Sequence, residues 1–300
     1  MKPFPSITAR KAYLARNRLQ DALGDYYAAE NDLNDPTAAQ LTRGRANVMR
    51  SFGFTGNEVA KVEVMLPVVG TTNSAPTMYW MICKVFANPD LVDRLRLEAM
   101  PLLEKGRDAS THEVVINIAR LDVECPLLVS CYREILRMVN HNVSMRRIME
   151  DTTIKDGEGR AYLLKKGVDV QIAGGVMHKI QGVWGDDAQE FNPERFLAAT
   201  DKSADQINRD KTKKNAYIPF GGGRHLCPGR NFAFAELLGL TCALVVGFDL
   251  TSVGLDFDQM KPRPAVLANA IVKPMNDGEG LGLKLRRRKG WENVKWRFES

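Results

Sequence analysis

The segment Phe220-Gly-Gly-Gly-Arg-His-Leu-Cys-Pro-Gly-Arg230 constrains this chain more than any other. It puts a glycine-rich loop, a lone cysteine and the start of an apolar helix into one short run. Glycines at 221 to 223 permit a tight turn and a close approach of backbone to a flat ligand. Cys227 falls just ahead of a helix expected from about Asn231 to Val246, with Pro228 suited to its first turn. The free N–H groups and positive dipole end of that helix would stabilise a thiolate. Hydrogen bonds to the sulfur would tune its donation to a metal. Two other readings compete. A glycine-rich loop before a helix can cradle phosphate, although the Walker lysine and the Rossmann glycine spacing are absent. A lone buried cysteine can also be no more than a small hydrophobe.

The first half of the chain reads as helical. Thr8 to about Glu30 carries amphipathic spacing, and a second helix ends near Arg50. From Thr55 to about Val85 the apolar residues lie on most sides, which predicts one long buried helix. Pro76 denies a donor to the carbonyl of Thr72 and should open that helix. Asn88-Pro-Asp stops it, and Leu91–Leu103 is again amphipathic. Cys125–Val139 is a further helix, opened by Pro126. Thr152–Ile172, with turn glycines and alternating Val168, Val170 and Ile172, predicts short strands. Trp184 to Lys214 is polar and irregular. Leu281, Leu283 and Leu285 alternate, as in a strand. No repeat or low-complexity linker interrupts this pattern, so one mixed domain over residues 1–300, mainly α with small β-sheets, is expected.

The 300 residues carry a net charge of +6, spread along the chain. The tightest basic run, Arg286–Lys289, reads as a solvated strand end rather than a nucleic-acid site. Five scattered cysteines make neither a disulfide framework nor a zinc site, and suit a reduced, cytosol-facing protein. No signal peptide and no run of about 18 apolar residues is apparent, so no transmembrane anchor is expected.

Phe220, Gly223, Arg224, Cys227 and Gly229 fall at the spacing of the cysteine loop of the cytochrome P450 family, which the chain resembles. The resemblance implies a P450 fold and haem b (iron protoporphyrin IX). It makes Cys227 the axial iron ligand and pairs Arg224 with a haem propionate. Three further segments match in the family's order. Glu134-Ile-Leu-Arg137 resembles the Glu-x-x-Arg helix, and Phe191-Asn-Pro-Glu-Arg195-Phe the segment that adds a second arginine. Glu134, Arg137 and Arg195 are then expected as a buried structural ion triad. Arg146, with Arg147 as its competitor, lies where another propionate contact is expected, and Phe220 and Gly70 count among the cofactor-contacting positions.

The stretch Val68-Val-Gly-Thr-Thr-Asn-Ser-Ala-Pro76 resembles the family's oxygen-side helix, with a departure. Thr72 and Asn73 stand where an acid and a threonine are usual, so the proton-relaying carboxylate is missing. Asparagine here is similar to a branch that includes sterol hydroxylases and an isomerase. The family's N-terminal part has no counterpart, so a fragment, a mis-predicted gene start or a truncated paralogue is expected. Substrate contacts are expected from Val68–Asn73, Asn142–Val143 and Leu267–Ala270.

The resemblance implies a monooxygenase that oxidises a small apolar molecule with O2. Its electrons would come from an NADPH-dependent reductase, and a monomer is expected. A full-length form would sit on the cytosolic face of the endoplasmic reticulum membrane. The competing readings are an isomerase or dehydratase that needs no reductase, and an inactive truncated haem binder. His225 is expected at the surface. His178 is expected either to reach a propionate or to make ordinary hydrogen bonds. Cys83, Cys125, Cys131 and Cys242 are expected as packing residues.

Overall fold

Local signals place most helix starts. Thr55 and Glu58 form a reciprocal cap at the head of Gly56–Glu63. Asn88 Oδ1 accepts the Leu91 N–H (3.1 Å) ahead of Pro89–Ala99. Pro126 is the first residue of Pro126–Val139, where its missing N–H loses no helical bond.

The computed structural model describes residues 4–106, 112–198, 204–253, 256–264, 269–275 and 282–299. They form two units, Met1–Thr72 and Asn73–Ser300. The first is all-helical, with longer helices Arg10–Ala28, Gln40–Ser51 and Gly56–Glu63 around a small core of Tyr27, Ala46, Val59 and Ala60. Two buried carboxylates are paired there: Asp32 takes both Arg50 amines (2.6 and 2.8 Å), and Glu63 takes Arg45.

The second unit is mainly α with small sheets, as expected. Its core is built from Ser74–Phe86, Pro89–Ala99, Pro126–Val139 and Arg230–Gly247. One sheet pairs Leu103–Lys105 antiparallel and Lys295–Glu299 parallel to the central strand Glu113–Asn117. Three two-stranded sheets join Val143–Arg147 to Asp169–Ala173, Thr152–Lys155 to Ala161–Leu164, and Phe248–Ser252 to Leu283–Arg287. All five residues of Leu283–Arg287 are exposed, which fits a solvated strand end; Leu281 lies outside the described residues. Gly247 lets Trp296 close onto the Arg230–Gly247 helix: a Cβ there would sit 2.5 Å from the indole.

Two expectations are corrected. The long helix over 55–85 is three pieces, Gly56–Glu63, Met65–Thr71 and Ser74–Phe86. Pro67 and Pro76 each leave the carbonyl four residues back, of Glu63 and Thr72, without its helical donor, and the breaks fall there, the second as Pro76 led one to expect. The middle piece buries no residue. The supposedly irregular region before Lys214 contains the helix Ala204–Ala216, polar on all sides and so without periodic signal. By length and composition alone Arg230–Gly247 could cross a bilayer, but half of it is buried inside the structure, as a core helix is.

Candidate cofactor site: the cysteine loop and its anchors

The Cys227 N–H donates to the Phe220 carbonyl (3.0 Å) and closes the loop. Gly221 (φ 75°) and Gly223 (φ 64°) take left-handed conformations that a side chain would strain. The following helix starts at Arg230 with Gly229 as its cap, so Pro228 precedes the cap and does not lie in the first turn. Cys227 is half-buried and free of any disulfide. The other four cysteines are fully buried packing residues. Burial pushes the Cys83 thiol up to about 11 and those of Cys125, Cys131 and Cys242 to about 12.

Behind the loop lies the ion cluster. Arg137 grips Glu134 with Nε and one amine (2.7 and 2.8 Å). Arg195 Nε lies 3.0 and 3.1 Å from the two carboxylate oxygens, and the Asn192 N–H adds a fifth contact at 3.1 Å. Glu134 and Arg137 are wholly buried, and the Arg195 side chain is 4% exposed. The spare guanidinium donors are used as well. Arg137 reaches the carbonyls of His178 (2.6 Å) and Ala188 (2.7 Å), and Arg195 those of Trp184 (2.6 Å) and Asp187 (3.0 Å). Arg195 also donates to the Asp187 carboxylate, which holds that acid down at about 2. Each charge of this cluster is thus paired and hydrogen-bonded, the condition under which such buried charges are tolerated.

The run into the loop is tied down residue by residue. The Tyr217 hydroxyl donates to the Arg133 carbonyl (3.1 Å), and the Ile218 N–H to His178 Nε2 (3.0 Å). The Pro219 carbonyl accepts from Asn140 Nδ2 (2.7 Å), and the Gly222 carbonyl from Arg146 (3.0 Å). The spacing of the motif carried no signal for Asn140, His178 or Tyr217 in these roles. His178 is wholly buried, and desolvation, with Arg137 beside it, lowers its pKa to about 4. Its ring makes one hydrogen bond, through Nε2, while Nδ1 is buried without a partner among the described residues.

Arg146 and Arg147 occupy alternate faces of their strand and part company. Arg146 reaches the loop, whereas Arg147 makes a two-armed bridge to Asp169, its cross-strand neighbour (3.0 Å each). Arg224 is exposed and has no partner among the described residues; His225 is exposed too. Phe220 packs on the core of its unit. Asn73 is exposed at the head of Ser74–Phe86, without a side-chain partner among the described residues. Gly70 and Thr72 belong to the first unit, where the Thr72 hydroxyl donates back to the Val68 carbonyl (2.8 Å). Asn142 and Val143 are half-buried; Leu267 and Ala268 lie outside the described residues.

The donor set suits one kind of metal group. Among the described residues no cluster of three or more His, Cys, Asp or Glu can cage an ion. A single accessible thiol can serve only a metal that brings its other ligands with it. Arg224 has no partner among the described residues, and no atom is found within 4 Å of a Cβ built on Gly223. The residues fit a haem.

The family model described as Cytochrome P450 matches residues 4–274. A "Cytochrome P450 monooxygenase" of Gibberella zeae is 39% identical over 300 residues, 99% of this chain and 56% of the relative. The "Cytochrome P450 monooxygenase nodJ" of Hypoxylon pulicicidum is 28% identical over 98% of this chain and 56% of its own length. The chain thus spans somewhat more than half the length of these relatives. The crystal structure of a cytochrome P450, CYP102L1, superposes with a TM-score of 0.67 at 21% identity. That match covers 96% of this chain and 60% of the other, and it shows a shared fold.

Proposed function

The chain belongs to the cytochrome P450 family, and on that premise we propose that it forms the haem-thiolate part of a monooxygenase. Both units are read as parts of one P450 domain, because the family match at residues 4–274 runs across their boundary. The observation that carries the reading is Cys227: the one half-buried thiol, in a glycine loop whose approach is held by His178, Asn140 and Arg146. Cys227 would ligate the iron of haem b. Arg224 and Arg146 would hold its propionates, and Phe220 and Gly70 would contact it. Haem bound in this way supplies oxygen activation for the oxidation of a small apolar substrate. Glu134, Arg137 and Arg195 keep a structural role. The named activity of the relatives supports the oxygenase reading. An NADPH-dependent reductase, a monomeric state and, for a longer form, the cytosolic face of the endoplasmic reticulum complete the proposal.

Thr72 and Asn73 support a second reading. With the Thr72 hydroxyl donated to Val68 and the Asn73 amide free, neither side chain relays a proton as a carboxylate does. A reductase-independent isomerase or dehydratase needs no such relay.

The test is the absorption spectrum of haem-supplemented, reduced, carbon monoxide-treated protein beside Cys227→Ala. A strongly red-shifted Soret band, lost in the variant, is expected. Absence of haem uptake would overturn the proposal. Turnover without any electron donor would favour the second reading.

A further inference from the structure

We propose that His178 and Asn140 are positioning residues for Cys227, coupling the buried ion triad to the thiolate loop. The inference rests on the reading of Cys227 as the haem ligand. His178 presents its ring and its backbone to different partners. Its carbonyl accepts from Arg137 (2.6 Å), and its Nε2 accepts the Ile218 N–H (3.0 Å). A displacement of Arg137 therefore reaches the loop through one residue. Asn140, the first residue beyond the Pro126–Val139 helix that carries the triad, donates to the carbonyl of Pro219, the very next residue (2.7 Å).

The coupling is stiff for identifiable reasons. His178 is wholly buried and Asn140 is 2% exposed, so water cannot easily replace either bond. The Asn140 amide is oriented from its other end, where Oδ1 accepts the Asn142 N–H (3.2 Å). The His178 ring is wedged between Trp184 and Tyr217. One residue past Pro219, the Phe220 carbonyl takes the Cys227 N–H (3.0 Å). Two adjacent residues, Ile218 and Pro219, thus carry the position of the triad to the ligand's own backbone.

Amide hydrogen exchange on the full haem-free chain tests this, with the carbon monoxide spectrum as a second readout. His178→Phe fills the space without an acceptor, and Asn140→Asp keeps shape but loses the donor. Each should speed exchange of the 217–228 segment by about fivefold or more while Pro126–Val139 stays protected. His178→Gln, which can accept the same N–H, should restore most of the protection. With haem, His178→Phe and Asn140→Asp should show a smaller thiolate-type band than His178→Gln. Unchanged loop exchange in both disruptive variants would overturn the proposal. So would equal loss of protection in loop and helix, the mark of a mere packing role. If even the unmodified chain takes up no haem, the reading of Cys227 fails, and the exchange data still decide the coupling.

Discussion

Replacement of Glu134 by glutamine should destabilise the second unit far more than a one-atom change suggests. The carboxylate receives five contacts from Arg137, Arg195 and Asn192, all within 3.1 Å, and no water reaches it. Glutamine keeps one acceptor oxygen and places an NH2 against guanidinium N–H groups, donor facing donor. It also leaves two buried cations without their shared anion. Breaking a buried pair by removing one partner costs about 3–5 kcal/mol. The carbonyls of His178, Ala188 and Trp184 and the Asp187 carboxylate still hold the guanidiniums, so the lower end, about 3 kcal/mol, is expected. That is a large share of the roughly 5–15 kcal/mol that stabilises a domain. The assay is urea unfolding followed by tryptophan fluorescence and circular dichroism. Trp184 is a local reporter, since the Arg137 guanidinium lies 5.3 Å from its ring. A loss below about 1 kcal/mol would refute the reasoning and mean that the carbonyls alone neutralise the arginines.

Burial holds His178 neutral down to about 4, against an ordinary 6.5. The unfolded chain takes up this proton first, so stability should be full above about 6.5 and fall as pH drops towards 4, by about 3 kcal/mol at most. His178→Gln should flatten that slope in urea titrations; an unchanged slope would count against it. Iodoacetamide at pH 8 on the native, haem-free chain should alkylate Cys227 first, because the other thiols are buried and raised to about 11–12. Mass spectrometry showing Cys83 or Cys242 labelled equally fast would contradict this. Gly223→Ala should cost about 1–2 kcal/mol through its positive φ alone, since no neighbour crowds the site. A neutral result in urea unfolding would mean that the loop relaxes.

The legible part of the molecule was the part governed by neighbours in sequence. Pro126 and the Thr55–Glu58 pair announce helix starts, and Asn88-Pro89 a stop, because these signals act within one turn. Less legible was Ala204–Ala216, whose polar faces leave no period to detect, and the first break within residues 55–85, where general apolarity hid the effect of Pro67 although Pro76 announced the second. The buried state of the four packing cysteines was readable, because each lies in an apolar stretch.

By itself the sequence determined the glycine loop with Cys227, the Glu134–Arg137 pair one helical turn apart, and the family to which they point. These depend on spacing within a single element. Tertiary structure alone decided which of Arg146 and Arg147 meets the loop. That choice turned on strand register, which set Asp169 opposite Arg147. It also decided that His178 and Asn140, 40 and 79 residues from their partners, hold Ile218 and Pro219. A hydrogen bond between distant segments leaves no periodic trace, because its geometry exists only after the core has packed.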